Sequence, residues 1–320
     1  MSTASTMKVL RYHPPGGVDA LQYAEEPIPS DLKDGEMLIK VAAVGVIWTE
    51  LYWPIYQKPD GEYSTHIPGH DFSGTVQKIG PGFEGSEIRT GSEVMAFTSK
   101  RQVEGALAEY AKSDLTQTVL KPTSLSLVDA ATVPLSALTA WQAIFDHACL
   151  KAGQKLLVTG AAGGTGIWAV QIGKMAGAHV VGTASSPRSF ELLKSFGIDQ
   201  IVDYKRAQLE EVVKDVDVVL DTVGGTALDQ SLKTLKKGGV LININDPSCA
   251  EKAKPLGVRG TFFIVSMNVE QMSKINELID DGTLRTVVDS VFSFAEARKA
   301  YEKGASGNVH GKIVVKVADE

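Results

Sequence analysis

The strand-like run KLLVTG leads directly into AAGGTG (161–166), and a segment of helical composition follows. No other feature restricts the possible folds so tightly. The chain must turn sharply out of a strand, the backbone at Gly163 and Gly164 must lie open with no Cβ in the way, and a helix must pack closely on the strand at Gly166. Alanine stands at the first glycine position of the dinucleotide fingerprint. The helix that starts here points unpaired N–H groups and a positive dipole end at whatever fills the turn, which suits a pyrophosphate held by Ala162, Gly163, Gly164, Thr165 and Gly166. The same turn can also join a strand to a helix with no ligand at all. Its surroundings favour the ligand.

Those surroundings alternate. KLLVTGA (155–161), HVVGTAS (179–185), QIVDY (200–204), VDVVLDTV (216–223), GVLININ (239–245) and GTFFIV (260–265) are short, apolar and rich in Val and Ile. Runs of helical composition such as GIWAVQIGKMAG, RSFELLKSFG and TALDQSLKTLKKG separate most of them. Short apolar strands alternating with helices predict a parallel sheet covered on both faces. Before residue 120 the pattern differs. MKVLRYH, MLIKVAAVGV, DFSGTVQKIG and SEVMAFT read as strands divided by PPGG, KDGE and GPGFEG turns, which predicts a β-rich domain. Two amphipathic helices, around 268–281 and 295–303, and a closing strand GKIVVKV end the chain. The class is α/β.

Composition narrows the function. A formal net charge of −6 lacks the positive field that nucleic acid or an anionic membrane attracts, so neither is an expected partner. Two cysteines, Cys149 and Cys249, exclude a disulfide framework and a four-cysteine zinc site. They also suit a reducing compartment, and with no basic-then-apolar leader in MSTASTMKVL the expectation is a cytoplasmic protein. The weakly charged window between Asp129 and Asp146 contains Pro134, Ser136 and Gln142 and falls short of the roughly 20 apolar residues of a membrane span, so it reads as buried chain.

The end of the second Rossmann-type strand discriminates between cofactors. An NAD site usually has a carboxylate about 20 residues past the glycines to hold the ribose 2′-hydroxyl. Here Ser185, Ser186, Pro187 and Arg188 stand there, and the next carboxylate is Glu191. Hydroxyls and a guanidinium suit a 2′-phosphate, so the expected cofactor is NADPH, with Tyr204 lining the adenosine end. Ser-Ser-Pro is also a good helix start, and the two roles are compatible. Asp221, Thr222 and Val223 end the fourth strand, where the nicotinamide ribose would pass. Asn243 and Asn245 end the next one, within reach of the ribose or carboxamide. Phe262, Phe263 and Val265 read as core by their periodicity.

With these motifs in place, the chain resembles the medium-chain dehydrogenase/reductase superfamily, in its zinc-lacking, quinone oxidoreductase-like branch. The matching stretches are MKVLRYHPPGG, IKVAAVGV, IPGHDFSGTVQKIGPG, VPLSALTAWQAI, AAGGTG, VVLDTVGG and DGTLRTVVDSVFSFAEARKAYEKGASGNVHGKIVVKV, nearly the whole chain in order. The resemblance implies a GroES-like catalytic domain over 1–122, completed by 266–320, with a Rossmann doubly wound parallel-sheet domain over 123–265 and the active site in the cleft between them. It also implies that the FFIV strand, with Phe263 and Val265, supplies backbone near the nicotinamide and can pair across a homodimer. A hydrophobic strand there would be buried in a monomer as well.

The departures from the family pattern are informative. Zinc-dependent members ligate the metal with Cys, His and Cys. The corresponding positions here are about Ile47, then His70, then Pro134–Leu135, and a lone imidazole does not hold zinc in a tetrahedral site. No metal is therefore expected. Where the family usually reads Asn-Pro-x-Asp, this chain reads Ile47-Trp48-Thr49-Glu50. Trp48, Thr49, Tyr52, Tyr56 and Leu135 thus fall where pocket walls are expected. Tyr52 is the preferred donor to a substrate oxygen, with Tyr56 and Tyr63 as competitors, or else it is a half-buried packing residue. His70 either orients the pocket or satisfies a backbone carbonyl. Asp71 forms a buried pair or meets the cofactor amide. Thr139 falls near the nicotinamide ribose or phosphate. Asn308 and Lys312 are further cofactor candidates, though Lys312 reads equally as a solvated edge residue.

The expected activity is reduction of an α,β-unsaturated carbonyl compound or a quinone by NADPH, without metal or flavin. Reduction of a ketone or aldehyde, a specialised biosynthetic enoyl reductase, and a cofactor-binding protein without turnover are the alternatives.

Overall fold

Antiparallel pairing begins at once. Strand β1 (Thr6–Tyr12) pairs with β2 (Leu21–Pro27) across the PPGG turn. The computed structural model describes residues 5–53, 58, 60–62, 64–98 and 104–318. Next come β3 (Glu36–Val46), β4 (Asp71–Ile79), β5 (Glu93–Phe97), β6 (Tyr110–Asp114) and β7 (Thr118–Leu120). Helices α1 (Leu127–Ala130) and α2 (Pro134–Trp141) follow, and α2 runs on into a π-helical turn, Gln142–His147. The alternating region contains β8 (Lys155–Thr159), α3 (Gly164–Met175), β9 (His179–Ala184), α4 (Pro187–Ser195), β10 (Gln200–Asp203), α5 (Leu209–Val212), β11 (Val216–Asp221), α6 (Gly225–Leu232), β12 (Leu235–Asn243), α7 (Cys249–Ala253) and β13 (Arg259–Phe262). The chain closes with α8 (Val269–Asp280), β14 (Val288–Ser293), α9 (Ala297–Ala305) and β15 (Lys312–Lys316).

These elements form two compact units. One comprises Met1–Leu135 with Ser266–Glu320, and the other Ser136–Val265. In the first, the described strands form a sheet in the order β14-β15-β3-β4-β5-β7, with β6 also on β3. The last strand completes the first half of the chain, because β15 lies antiparallel to β3 with Val314 opposite Gly45. The change of hydrophobic period falls near residue 120, yet 123–135 groups with this first unit. Hydrogen bonds are the reason. The Asp280 carboxylate accepts from the N–H groups of Thr123 and Ser124 at 3.1 and 2.8 Å, and Ser73 Oγ donates to Leu127 O at 2.5 Å. Gly45 lets Ala131 lie against the sheet, since a Cβ there would collide with the Ala131 carbonyl.

In the second unit six strands run parallel in the order β10-β9-β8-β11-β12-β13. This is the doubly wound arrangement, with its switch point between β8 and β11. Helices cover both faces, so the strands bury Leu157, Val181, Val219 and Leu241 together in one layer. Each such side chain contributes about 1.5–3 kcal/mol. One expectation is corrected. The run 226–238 has helical composition, but the helix stops at Leu232 and β12 starts at Leu235. Gly238, at φ +77°, takes the left-handed conformation there, and the pairing with β11 shifts register between Val216 and Val218.

Candidate active site

The turn after β8 is built around missing Cβ atoms. Gly160 has φ +60°, and a Cβ on it would stand 2.7 Å from Thr222 Oγ1 and 3.1 Å from Val223 Cγ2. A Cβ on Gly166 would run into Gly160 O and the backbone of Ala161. Gly163 is the extended N-cap of the 12-residue α3, and no side chain caps that helix. The cradle therefore leaves room, and first-turn N–H groups, for an anion at Gly163–Gly166. Ala162 is buried beneath it, whereas Gly164 and Thr165 are half-buried.

A second turn backs this one. The buried Asp221 carboxylate accepts from Thr159 Oγ1, from Val223 N at 3.0 Å, from Gly224 N at 3.1 Å and from Asn243 Nδ2 at 2.7 Å. Asn243 Oδ1 in turn accepts from the N–H groups of Asn245 and Asp246 at 2.7 and 2.5 Å. Thr222 Oγ1 donates to Thr159 O at 2.8 Å, and Asn245 Nδ2 donates to Thr222 O at 2.5 Å. The side chains of Asp221 and Asn243 are thus engaged in holding the ends of β8, β11 and β12 together. Val223, 55% exposed, is what this turn presents.

At the end of β9 the structure joins two candidates that are 19 positions apart. Ser185 Oγ donates to Tyr204 Oη at 2.9 Å. Ser186 instead caps α4, accepting from Ser189 N at 3.1 Å with Pro187 at the first helical position. Arg188, in the first turn of α4, is exposed. Thr139 is buried on α2. Phe263 is buried with its ring 4.3 Å from that of His147, while its N–H continues the ladder to Asn243 O at 3.3 Å, and Val265 is half-buried.

In the first unit the segment Trp48–Tyr52 forms a 3-10 turn that divides its side chains. Glu50 and Leu51 are buried, Thr49 is half-buried, and Trp48 and Tyr52 are 40% and 55% exposed. The two exposed rings meet edge to face at 6.3 Å. Tyr52 is therefore more open than a half-buried packing residue. Tyr56 and Tyr63 lie outside the described residues.

The sequence did not single out Glu50. Its carboxylate accepts from the Tyr301 hydroxyl and from Gly69 N at 3.0 Å. Burial pushes its pKa up to about 7, against those two hydrogen bonds and the charge of Lys312. The one available signal was a charged residue set between Trp48 and Tyr52, where the resemblance expects Asp. The partner that buries it comes from the far end of the chain.

Asp71 and Lys312 form a buried ion pair at 3.0 Å, and Asp71 also accepts from Leu135 N at 3.2 Å. The reading of Lys312 as a solvated edge residue is thereby overturned. Its ammonium serves β4 from the start of β15. Asn308 is exposed in the loop before it.

The comparisons with known proteins agree with this architecture. A family model described as "Alcohol dehydrogenase GroES-like domain" matches residues 33–123, and one described as "Zinc-binding dehydrogenase" matches 196–315. The chain is 32% identical to "Probable zinc-binding oxidoreductase, mitochondrial" of Arthroderma benhamiae, over 99% of this chain and 98% of that protein. The chain belongs to the medium-chain dehydrogenase/reductase superfamily, in its quinone oxidoreductase-like branch. Other members are close to it too. "NADPH-dependent alkenal/one oxidoreductase, chloroplastic" of Arabidopsis thaliana is 30% identical over 98% of this chain and 80% of its own. The structure of the quinone oxidoreductase from Coxiella burnetii superposes with a TM-score of 0.89 at 29% identity, covering 98% of this chain and all of that one.

His70 is the residue that the resemblance expects at a zinc-ligand position. It is buried, its Nδ1 lies 2.8 Å from Thr98 Oγ1 and 3.2 Å from Thr98 O, and the Trp53 ring covers it at 5.4 Å. Burial holds its pKa down to about 4, so the ring is neutral at physiological pH. Among the described residues no group of three or more His, Cys, Asp or Glu is placed to hold a metal ion. Nor is any described helix long and apolar enough to cross a membrane.

Proposed function

We propose that this protein reduces the C=C bond of α,β-unsaturated carbonyl compounds, or a quinone, with NADPH and without zinc. The observation that carries the choice of acceptor is Tyr52. The segment on which the resemblance expects zinc-dependent relatives to begin their metal site starts here with Ile47 and ends with an exposed phenol, Tyr52, a donor for an oxygen rather than a ligand set. The names of the alkenal/one oxidoreductase and of the quinone oxidoreductase support the same acceptor class.

NADPH, when bound, supplies the hydride. The cradle at Gly163–Gly166 and the N-terminus of α3 would hold its pyrophosphate. Ser185 and Tyr204, already hydrogen-bonded to each other, and Arg188 would hold the 2′-phosphate, to which they offer donors and positive charge where a carboxylate would repel. Thr222, Val223, Thr139 and the backbone of Phe263 and Val265 are the proposed contacts to the nicotinamide half, with Asn308 a further candidate. On the acceptor side, Tyr52 donates a hydrogen bond to the carbonyl oxygen. Negative charge grows on that oxygen as hydride reaches the β-carbon, so the bond strengthens along the reaction, and a proton from solvent then completes the α-carbon. Thr49 is a second donor on the same turn, and Trp48 and Leu135 would wall the acceptor. His70, neutral and held by Thr98, orients rather than exchanges a proton. β13 is an edge strand of its sheet, and two copies joined there would form a homodimer with one continuous sheet.

The test follows absorbance at the reduced-nicotinamide band with NADPH and a panel of enones and quinones, before and after dialysis against a chelator. Turnover that survives the chelator is expected. No turnover on any acceptor, with NADPH still bound, would leave only a binding protein. Turnover lost to the chelator and restored by zinc would overturn the metal-free reading.

A further inference from the structure

Helix α9 reaches the Trp48–Tyr52 turn at two points on one of its faces. Its buried residues are Ala297, Ala300, Tyr301 and Gly304, spaced as a single helical stripe. Tyr301 donates to Glu50 from this stripe. One turn on, Gly304 lies directly beneath Trp48. A Cβ on Gly304 would stand 2.7 Å from Trp48 Cβ and 3.2 Å from Cγ and Cδ1 of the indole. The indole in turn meets the Tyr52 ring edge to face, and the Tyr52 hydroxyl lies 2.8 Å from where a Cβ on Gly17 would stand.

We infer that Gly304 is an acceptor-specificity residue, which acts by setting how far the Trp48 indole stands out from α9 and, through it, where Tyr52 points. The inference rests on the reading of Trp48 and Tyr52 as acceptor-facing. Glycine is not needed here for its backbone, because position 304 does not occupy the left-handed region, and alanine would favour the helix on its own. What glycine supplies is space. An added methyl meets Trp48 Cβ first and then the indole, so the whole side chain must move away from α9. That narrows the room for a wide acceptor and leaves the second unit, with its glycine cradle, untouched.

Gly304→Ala, Trp48→Ala and the double variant would be assayed with saturating NADPH against a small enone (but-3-en-2-one) and a wide quinone (1,4-naphthoquinone). Gly304→Ala is expected to raise the KM for the quinone relative to the enone by about ten-fold. The NADPH affinity, read by fluorescence titration, should stay near wild type. In the Trp48→Ala background the added methyl still meets the Cβ of residue 48 but has no indole to displace, so it should not change the KM ratio further, because coupled positions are not additive. The inference is overturned if Trp48→Ala alters the KM ratio and Gly304→Ala, folded by circular dichroism, does not. If Trp48→Ala also leaves the ratio unchanged, the acceptor-facing reading falls and this inference with it. If the wild type reduces neither acceptor, the proposed activity itself has failed. Should Gly304→Ala not fold, Trp48→Phe sets a smaller ring over the same glycine, and an unchanged KM ratio there overturns the inference equally.

Discussion

Tyr301 donates its phenol to the carboxylate of Glu50 across a sequence separation of 251. The bond holds the C-terminal helix α9 to a turn in the first third of the chain, and it leaves an acidic group fully buried. Its pKa of about 7, against an ordinary 4.5, means that the folded protein keeps a proton which the unfolded chain releases. The stability linked to that proton is complete below about pH 4.5 and is lost as pH rises through 7. The loss amounts to about 3 kcal/mol. Glu50→Gln, neutral throughout, should gain on the wild type by that order between pH 4.5 and pH 8. Urea denaturation at both ends of the range reads it, and parallel pH curves for the two proteins would refute it.

Asp221 makes a different demand. Its carboxylate takes only donors, from Thr159, Val223, Gly224 and Asn243. Asp221→Asn would turn an amide N–H against one of those donors and leave it unsatisfied. A cost of about 2–4 kcal/mol is expected, together with weaker NADPH binding as the turn next to Gly160 loosens. A variant within about 0.5 kcal/mol of the wild type would show that the network does not hold the strand ends.

Arg188→Ala separates the two nicotinamide cofactors. Loss of a charge-assisted contact to a 2′-phosphate should raise the Kd for NADPH about 10- to 100-fold. NADH has no such phosphate, and its Kd should barely move. Fluorescence titration with both cofactors checks this, and an equal loss for the two would remove the assignment.

Tyr52→Phe deletes one hydroxyl and keeps the ring against Trp48. If the phenol serves the acceptor oxygen, kcat should fall by about 100-fold with the Kd for NADPH unchanged. A wild-type kcat would return Tyr52 to a packing role and make Thr49 the next donor to test.

The parallel sheet was legible because its signals are local. Val and Ile runs of strand length, the helices between them and the glycines after β8 each report on neighbouring residues. The end of the helix at Leu232 was not legible, since residues 226–238 are of helical composition throughout and the sheet takes Leu235 by pairing it with Val216. The buried Asp71–Lys312 pair was half legible. The aspartate was expected to be paired, but nothing near Lys312 in sequence distinguishes a buried ammonium from a solvated one.

The sequence by itself determined the strand–turn–helix with its glycine cradle, the hydroxyls and guanidinium in place of a carboxylate after β9, and the presence of only two cysteines, Cys149 and Cys249. These are statements about which residue stands at a position, or about the conformation of a few consecutive residues. Only the tertiary structure decided that Asp221 and Asn243 are engaged with each other, that Glu50 is buried under Tyr301, and that Gly304 makes room for Trp48. A hydrogen-bond partner, or the space for a Cβ, is set by whichever residue the fold brings alongside. For Glu50 and Trp48 that residue lies at the opposite end of the chain.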